Sequence, residues 1–90
     1  MPVVQIPNQL RPYAGGKNEV PVTGATVGDA LRHLAEQHPE LKDRMFDPNG
    51  DLQRFLNVYV NDEDIRFLDD LDTPLNERDI AALIPNVAGG

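Results

Sequence analysis

The chain has 90 residues, a net charge of −7, no cysteine and 40% hydrophobic residues. This length supports one small core but no deep enclosed active site, and the lack of cysteine excludes a disulfide framework, a thiolate nucleophile and any cysteine-ligated metal. The acidic charge repels phosphate backbones, so we expect no nucleic-acid partner and instead a partner protein with a basic groove. The chain has no apolar run long enough to span a bilayer and no signal-peptide layout, which predicts a cytoplasmic protein with no membrane partner.

The N-terminal segments predict a β-hairpin. A first strand is expected in VVQI, which Pro7 closes, and EVPV resumes the extended pattern. Between them, RPYAGGKN carries turn residues, with Gly15 and Gly16 free to adopt positive φ. Proline cannot donate a hydrogen bond to a neighbouring strand, so Pro21 indicates that the second strand has an unpaired side.

The segment TVGDALRHLAEQH is the clearest helix. Thr26 can cap its N-terminus, and Asp29 stands three residues later at capping-box spacing. The apolar residues that recur at helical spacing on one face are Val27, Ala30, Leu31, Leu34 and Ala35. Pro39 ends this helix, and ELKDRMF is expected to add a helical turn with Leu41, Met45 and Phe46 pointing inward.

The segment RFLNVYVND predicts a strand by its alternation. Leu56, Val58 and Val60 share one face, and Phe55, Asn57 and Tyr59 share the other. DPNGD before it is a turn, since its glycine comes too early for a calcium loop. After it, NDED reverses the chain and IRF is expected to form a brief strand.

The last third of the chain predicts a loop followed by a central strand. LDDLDTPLNERD is expected to be loop or short helix, anchored by Leu68, Leu71 and Leu75. IAALI is apolar on both faces, which suits a strand in the middle of a sheet, and Pro85 stops it.

This order of elements predicts an α+β fold of the β-grasp type. About five strands would form a mixed sheet, with one main helix packed across it and the final strand lying beside the first. The helix residues Val27, Leu31 and Leu34 would then be buried against Val4, Ile6, Val58, Val60 and Leu83. We expect a β-grasp domain over residues 1–85 and a flexible C-terminal tail over residues 86–90.

Most polar residues are expected to have ordinary surface roles. His33 and His38 lie in no constellation that would orient a catalytic base, and the carboxylates of NDED and LDD occupy solvated turns. Those acids remain candidates for docking onto a basic partner. The ending on Gly89 and Gly90 is different, because a chain without side chains can enter a narrow channel and present an unshielded carbonyl. This tail is either dispensable or the working part of the protein, in which case the Gly90 carboxylate would suit an enzyme that activates carboxylates by adenylation.

The whole chain resembles the ubiquitin-like sulfur carriers of the MoaD/ThiS family. The marks of the resemblance are Val60-Asn61, Asp79, Pro85 and the ending Val87-Ala88-Gly89-Gly90. The stretches RFLNVYVNDEDIRF and IPNQLRPYAGG are most similar to the branch that supplies sulfur for cysteine synthesis in actinobacteria.

The resemblance implies a protein co-substrate rather than an enzyme. An E1-like adenylyltransferase/sulfurtransferase would activate Gly90, adjacent to Gly89, with ATP, and a sulfur donor would convert the carboxylate to a thiocarboxylate. In the cysteine branch, this thioacid would react in a pyridoxal-phosphate cysteine synthase, and a zinc metallopeptidase would release cysteine. ATP, pyridoxal phosphate and zinc would belong to these partners, with no cofactor or metal bound to this chain. The residues expected to contact partners are Phe55, Tyr59, Ile84, Val87 and Ala88.

Other functions are compatible with the same fold and the same Gly-Gly ending. The chain could carry sulfur for molybdopterin, as the small subunit of molybdopterin synthase, or for thiamine. It could also be a ubiquitin-like modifier joined to lysines through Gly90, or a β-grasp binding module with an inert tail. A terminal thioacid would favour a carrier, and isopeptide-linked ladders in cell extract would favour a modifier.

Overall fold

The computed structural model describes residues 1–85, so the predicted tail over residues 86–90 lies outside the described residues. The strands in chain order are β1 (Val3–Gln5), β2 (Glu19–Pro21), β3 (Leu56–Val60), β4 (Glu63–Asp64) and β5 (Ile80–Pro85). The α-helices are α1 (Val27–Gln37) and α2 (Pro39–Met45), and 3-10 helices span Asn8–Ala14, Ile65–Phe67 and Asp70–Asp72. None of the helices within residues 1–85 is both long and apolar enough to cross a membrane.

The five strands form one mixed sheet in the order β2-β1-β5-β3-β4. Strand β5 lies in the centre, parallel to β1 and antiparallel to β3, as the β-grasp prediction requires. Strand β2 is at one edge, where Pro21 has no further strand to pair with, and it forms the predicted hairpin with β1. The β-grasp fold is therefore confirmed.

Helix α1 packs on one face of this sheet. The Thr26 hydroxyl accepts a 3.2 Å hydrogen bond from the Asp29 N–H and caps the helix, while the Asp29 carboxylate pairs with Arg32 at 3.3 Å. The residues predicted to meet in the core are all buried: Val4, Ile6, Val27, Leu31, Leu34, Val58, Val60 and Leu83. Each such side chain contributes roughly 1.5–3 kcal/mol through burial. Leu41, Met45 and Phe46 are also buried, which confirms the further helical segment predicted after α1, now α2.

Two loop predictions need correction. The segment before Gly15 is not only a turn, because Asn8–Ala14 winds into a 3-10 helix that buries Leu10 and Ala14. Gly15 and Gly16 then turn the chain at φ 66° and 79°, as predicted. Beyond β4, the predicted strand IRF is wrong, since Ile65–Phe67 is a 3-10 helix.

The second error has a local physical cause. The Asp64 side chain accepts a 2.9 Å hydrogen bond from the N–H of Arg66, which caps a helical turn and ends β4 after two residues. Ile65 is thereby turned into the core. Leu75 is buried and Leu71 half-buried, but Leu68 is 37% exposed and does not anchor the loop as predicted.

Candidate functional site

Strand β5 is apolar on both faces, but the helices cover only one of them. Ala81 and Leu83 are buried beneath the helices, whereas Ile80 and Ile84 on the opposite face are 40% and 42% exposed. The prediction of a central strand is correct, yet its second face is open rather than buried. Exposed aliphatic side chains in the centre of a sheet are candidates for contact with a partner.

The strand register places further residues on this surface. Tyr59 is opposite Ala82 and Asn57 is opposite Ile84 across the β3–β5 pair, so Tyr59 and Ile84 occupy diagonal positions. On the other side of β5, Val3 pairs with Ile80. We call this surface the open sheet face; its residues are Val3, Gln5, Asn57, Tyr59, Ile80, Ala82 and Ile84. The structure therefore brings Tyr59 and Ile84, two residues predicted to contact partners, together on one face.

Phe55 is a different case. It is 48% exposed, but it lies in a turn one residue before β3, where pairing with β5 has not begun. The alternation that predicts its face therefore does not extend to it. The other predicted site residues, Val87, Ala88, Gly89 and Gly90, lie outside the described residues.

The described part of the chain ends with β5. Pro85 is the partner of Leu56, at the end of the sheet where β3 begins. Ile84, the last open-face residue of β5, immediately precedes it. The open sheet face is thus covalently adjacent to the segment that carries the two glycines.

The start of β5 is held by Asn61 and Asp79. The Asn61 side-chain amide donates to Asp79 at 2.8 Å and accepts from the Ile80 N–H at 3.1 Å, while the Asn76 N–H donates to Asp79 at 2.8 Å. The hydrogen bond from the Asn76 backbone, and then that from Asn61, hold the pKa of Asp79 below its usual value. Asn61 and Asp62 both have positive φ, at 50° and 73°, as a tight two-residue hairpin turn requires.

Comparison with known proteins identifies the family of this chain. The model of the ThiS family matches residues 4–90. The chain belongs to the ThiS family. It is 42% identical over 89 residues to sulfur carrier protein CysO of Mycobacterium tuberculosis, an alignment that covers 97% of this chain and 96% of the relative.

Two further comparisons show that this ThiS family member is similar both to a CysO and to a modifier protein. The crystal structure of the Amycolatopsis orientalis BexX/CysO complex superposes with a TM-score of 0.91 and 39% identity, covering all of both chains. Small archaeal modifier protein 1 of Haloferax volcanii is 40% identical over 83 residues, covering 90% of this chain and 91% of the relative. Sulfur carrier proteins of the ThiS family are small carriers rather than enzymes, and a CysO is found in complex with another protein.

The geometry explains why some residues mark the resemblance to the ThiS family. Asn61 and Asp79 contact each other and join the turn after β3 to the start of β5. They therefore set the register that aligns Tyr59 with Ala82 and brings Ile84 beside Asn57. Their role here is to position the open sheet face, and neither residue needs to contact a substrate.

Polar residues elsewhere have structural or surface roles. His33 Nδ1 accepts a 2.9 Å hydrogen bond from the Thr23 N–H and so ties α1 to the loop after β2. His38 is half-buried at the junction of α1 and α2. The predicted docking acids Asp62, Glu63, Asp69 and Asp70 are exposed, but Asp64 is buried and paired with Arg66 at 2.8 Å. Among residues 1–85, His, Asp and Glu side chains form no cluster able to hold a metal ion.

Sequence reasoning missed the exposure of Ile80, Phe67 and Leu68. Ile80 could have been found, because one layer of helix can cover only one face of an IAALI strand. Phe67, which is 82% exposed, was hidden by its assignment to a strand that does not form.

Proposed function

We propose that this protein carries sulfur for cysteine biosynthesis and that Gly90 is its reactive residue. The observation that carries this proposal is the family match, which continues past β5 and includes Gly89 and Gly90. The 42% identity with CysO over nearly the full length favours the cysteine branch. The absence of cysteine is compatible with this role, because the sulfur is held on the terminal acyl group and requires no thiol in the chain.

The first step is activation by an E1-like adenylyltransferase. A carboxylate oxygen of Gly90 attacks the α-phosphorus of ATP and displaces pyrophosphate, which leaves an acyl-adenylate. A donor of sulfide-level sulfur then attacks the acyl carbon, and AMP leaves with the carboxylate oxygen. The product is a thiocarboxylate, and neither carbon nor sulfur changes its oxidation state. Glycine suits this step because it has no β-carbon to shield the acyl carbon.

The second step passes the sulfur to an amino-acid acceptor. The thiocarboxylate sulfur forms a bond to the β-carbon of an activated serine in a pyridoxal-phosphate synthase, and the serine's leaving group departs. The acyl group of this thioester then moves from sulfur to the α-amine of the new cysteine, which frees the thiol and forms an amide bond. A zinc metallopeptidase hydrolyses the amide with one water, which releases cysteine and restores the Gly90 carboxylate. These cofactors reside in the partner enzymes, while this chain supplies the reactive terminus and the surface that docks it.

Docking is assigned to the open sheet face. Tyr59 and Ile84 lie on the surface that leads directly to Pro85, so a partner holding the glycines would be adjacent to them. The net charge of −7 favours a basic partner surface and speeds encounter with it. Val87 and Ala88 are proposed to continue this contact toward Gly90.

A second candidate is protein modification. It is favoured by the 40% identity with small archaeal modifier protein 1 of Haloferax volcanii. Activation of Gly90 would be the same, but the acyl group would pass to a lysine amine and form an isopeptide bond. The two candidates therefore differ in the acceptor and in whether a thioacid accumulates.

Intact-mass spectrometry tests the proposal. The purified chain is incubated with the adenylyltransferase, ATP and a sulfide donor, in parallel with a variant that lacks Gly90. We expect the full chain to gain the mass difference between sulfur and oxygen and the shortened variant to remain unchanged. Sulfuration of the shortened chain would place the reactive group elsewhere, and isopeptide ladders without a thioacid would favour the modifier.

A further inference from the structure

We propose that Phe67, supported by Leu68, is a second docking anchor that inserts into an apolar socket with a basic rim on the adenylylating partner. This inference rests on the proposed function and adds a contact on the β4 edge of the sheet, apart from the open sheet face. Phe67 is 82% exposed and Leu68 is 37% exposed, so the two adjacent side chains present apolar surface to solvent.

The backbone that carries Phe67 is held on both sides. Before it, the Asp64 carboxylate accepts a 2.9 Å hydrogen bond from the Arg66 N–H and a 2.8 Å hydrogen bond from the Arg66 guanidinium. Ile65, between these two residues, is buried in the core. After it, the Leu68 N–H donates to the Ile65 carbonyl at 2.9 Å. An exposed aromatic residue on a fixed backbone loses little conformational freedom on binding, which is the property of a preorganised anchor.

The surrounding charge identifies the kind of partner. Asp62, Glu63, Asp69, Asp70 and Asp72 are exposed in the same stretch. Two arginines line the adjoining depression, of which Arg66 is paired with Asp64 and Arg54 is exposed, so the exposed acids still outnumber the cations on this surface. This surface repels an anionic membrane, a nucleic acid and a second copy of this acidic chain, and it is complementary to lysines and arginines around an apolar pocket.

The sheet topology identifies which partner would reach it. Strands β4 and β5 are both antiparallel to β3, so both run toward the end of the sheet where Leu56 pairs with Pro85. Strand β4 itself pairs with Tyr59 and Val60, and the 3-10 helix that ends at Phe67 follows it directly. Arg66 of this helix lines one depression of about 410 Å³ together with Asp64 and with Leu56, the partner of Pro85. A protein that holds the chain beyond Pro85 is therefore positioned to receive Phe67. Adenylation comes first whether the product is a carrier or a modifier, so the adenylylating enzyme is the partner that this geometry favours.

The test is ATP–pyrophosphate exchange with the purified adenylyltransferase of the same organism, at varied concentrations of this chain. We expect Phe67→Ala to raise the KM for the chain at least tenfold with little change in kcat. Phe67→Tyr keeps the ring and should remain within about twofold to threefold of the original chain. The thermal midpoint of Phe67→Ala should be unchanged, because the ring is exposed.

A matched pair of charge variants tests the rim. Asp69→Asn with Asp70→Asn should raise KM and weaken its dependence on salt, whereas Glu36→Gln with Glu40→Gln removes two exposed acids of the helical layer and should change neither. If the original chain is adenylated and Phe67→Ala keeps its KM, this inference is overturned and the proposed function stands. If the original chain is not adenylated, both are overturned.

Discussion

The side-chain amide of Asn61 donates a 2.8 Å hydrogen bond to the carboxylate of Asp79, and this contact fastens the turn after β3 to the start of β5. The two residues are 18 positions apart in the chain. Their contact lies at one end of the strand pair whose other end, Leu56 with Pro85, precedes the terminal glycines. The register of the open sheet face therefore depends on it.

Replacing Asp79 with Ala should destabilise the fold by about 1–2 kcal/mol, because it removes the hydrogen bonds from Asn76 and Asn61. Urea unfolding at neutral pH measures this loss. Glu77→Ala, an exposed neighbour, serves as the control and should change stability little.

The same carboxylate should make stability depend on pH. The pKa of Asp79 is lower in the folded state than in the unfolded state, where it is about 4. Its contribution to the free energy of unfolding is therefore complete above the unfolded pKa and is lost as the pH falls through the folded pKa. The stability difference between the original chain and Asp79→Ala should therefore shrink at low pH. A difference that stays constant from pH 7 to strongly acidic conditions would contradict this account of the contact.

A cavity made in the core beneath α1 should lower the free energy of unfolding. Leu31 is fully buried between α1 and the sheet, so Leu31→Ala should lower the free energy of unfolding by about 2–5 kcal/mol. Its neighbour Arg32 points to solvent, and Arg32→Ala should cost about 1 kcal/mol or less. Equal effects of the two changes would show that α1 is not packed as described.

The open sheet face should contribute to activation rather than to folding. Ile84 is 42% exposed, so Ile84→Ala should raise the KM for adenylation several-fold while the thermal midpoint changes little. Ile80 is 40% exposed on the same strand but lies farther from Pro85, and Ile80→Ala should have a smaller effect. Unaltered kinetics for Ile84→Ala and Tyr59→Ala together would assign docking to another surface.

Much of the fold can be predicted from the sequence because its elements have strong patterns. The spacing of Val27, Leu31 and Leu34 predicts α1, and the apolar run from Ile80 to Ile84 predicts the central strand. The segment after β4 could not be predicted in this way. There, one side-chain hydrogen bond from the Arg66 N–H to Asp64 decides the conformation, and the residue pattern of IRF is compatible with a strand.

The candidate site is predictable to the same extent as the strands that present it. Alternation along β3 places Tyr59 correctly on the open sheet face, because its pairing with β5 is continuous. Alternation fails for Phe55, since the strand begins one residue after it. The exposure of Phe67 depends on the capped turn at Asp64, which only the folded structure reveals.

The most direct measurement of the central claim is transfer of sulfur from the thiocarboxylated protein. The thioacid at Gly90 is offered to a pyridoxal-phosphate cysteine synthase with an activated serine, and the products are followed by intact mass. We predict a covalent adduct that is heavier than the carboxylate form of the chain by one cysteine residue, which a zinc metallopeptidase cleaves to restore Gly90. The claim is contradicted if no adduct forms while the large subunit of a molybdopterin synthase binds the same protein tightly and turns over.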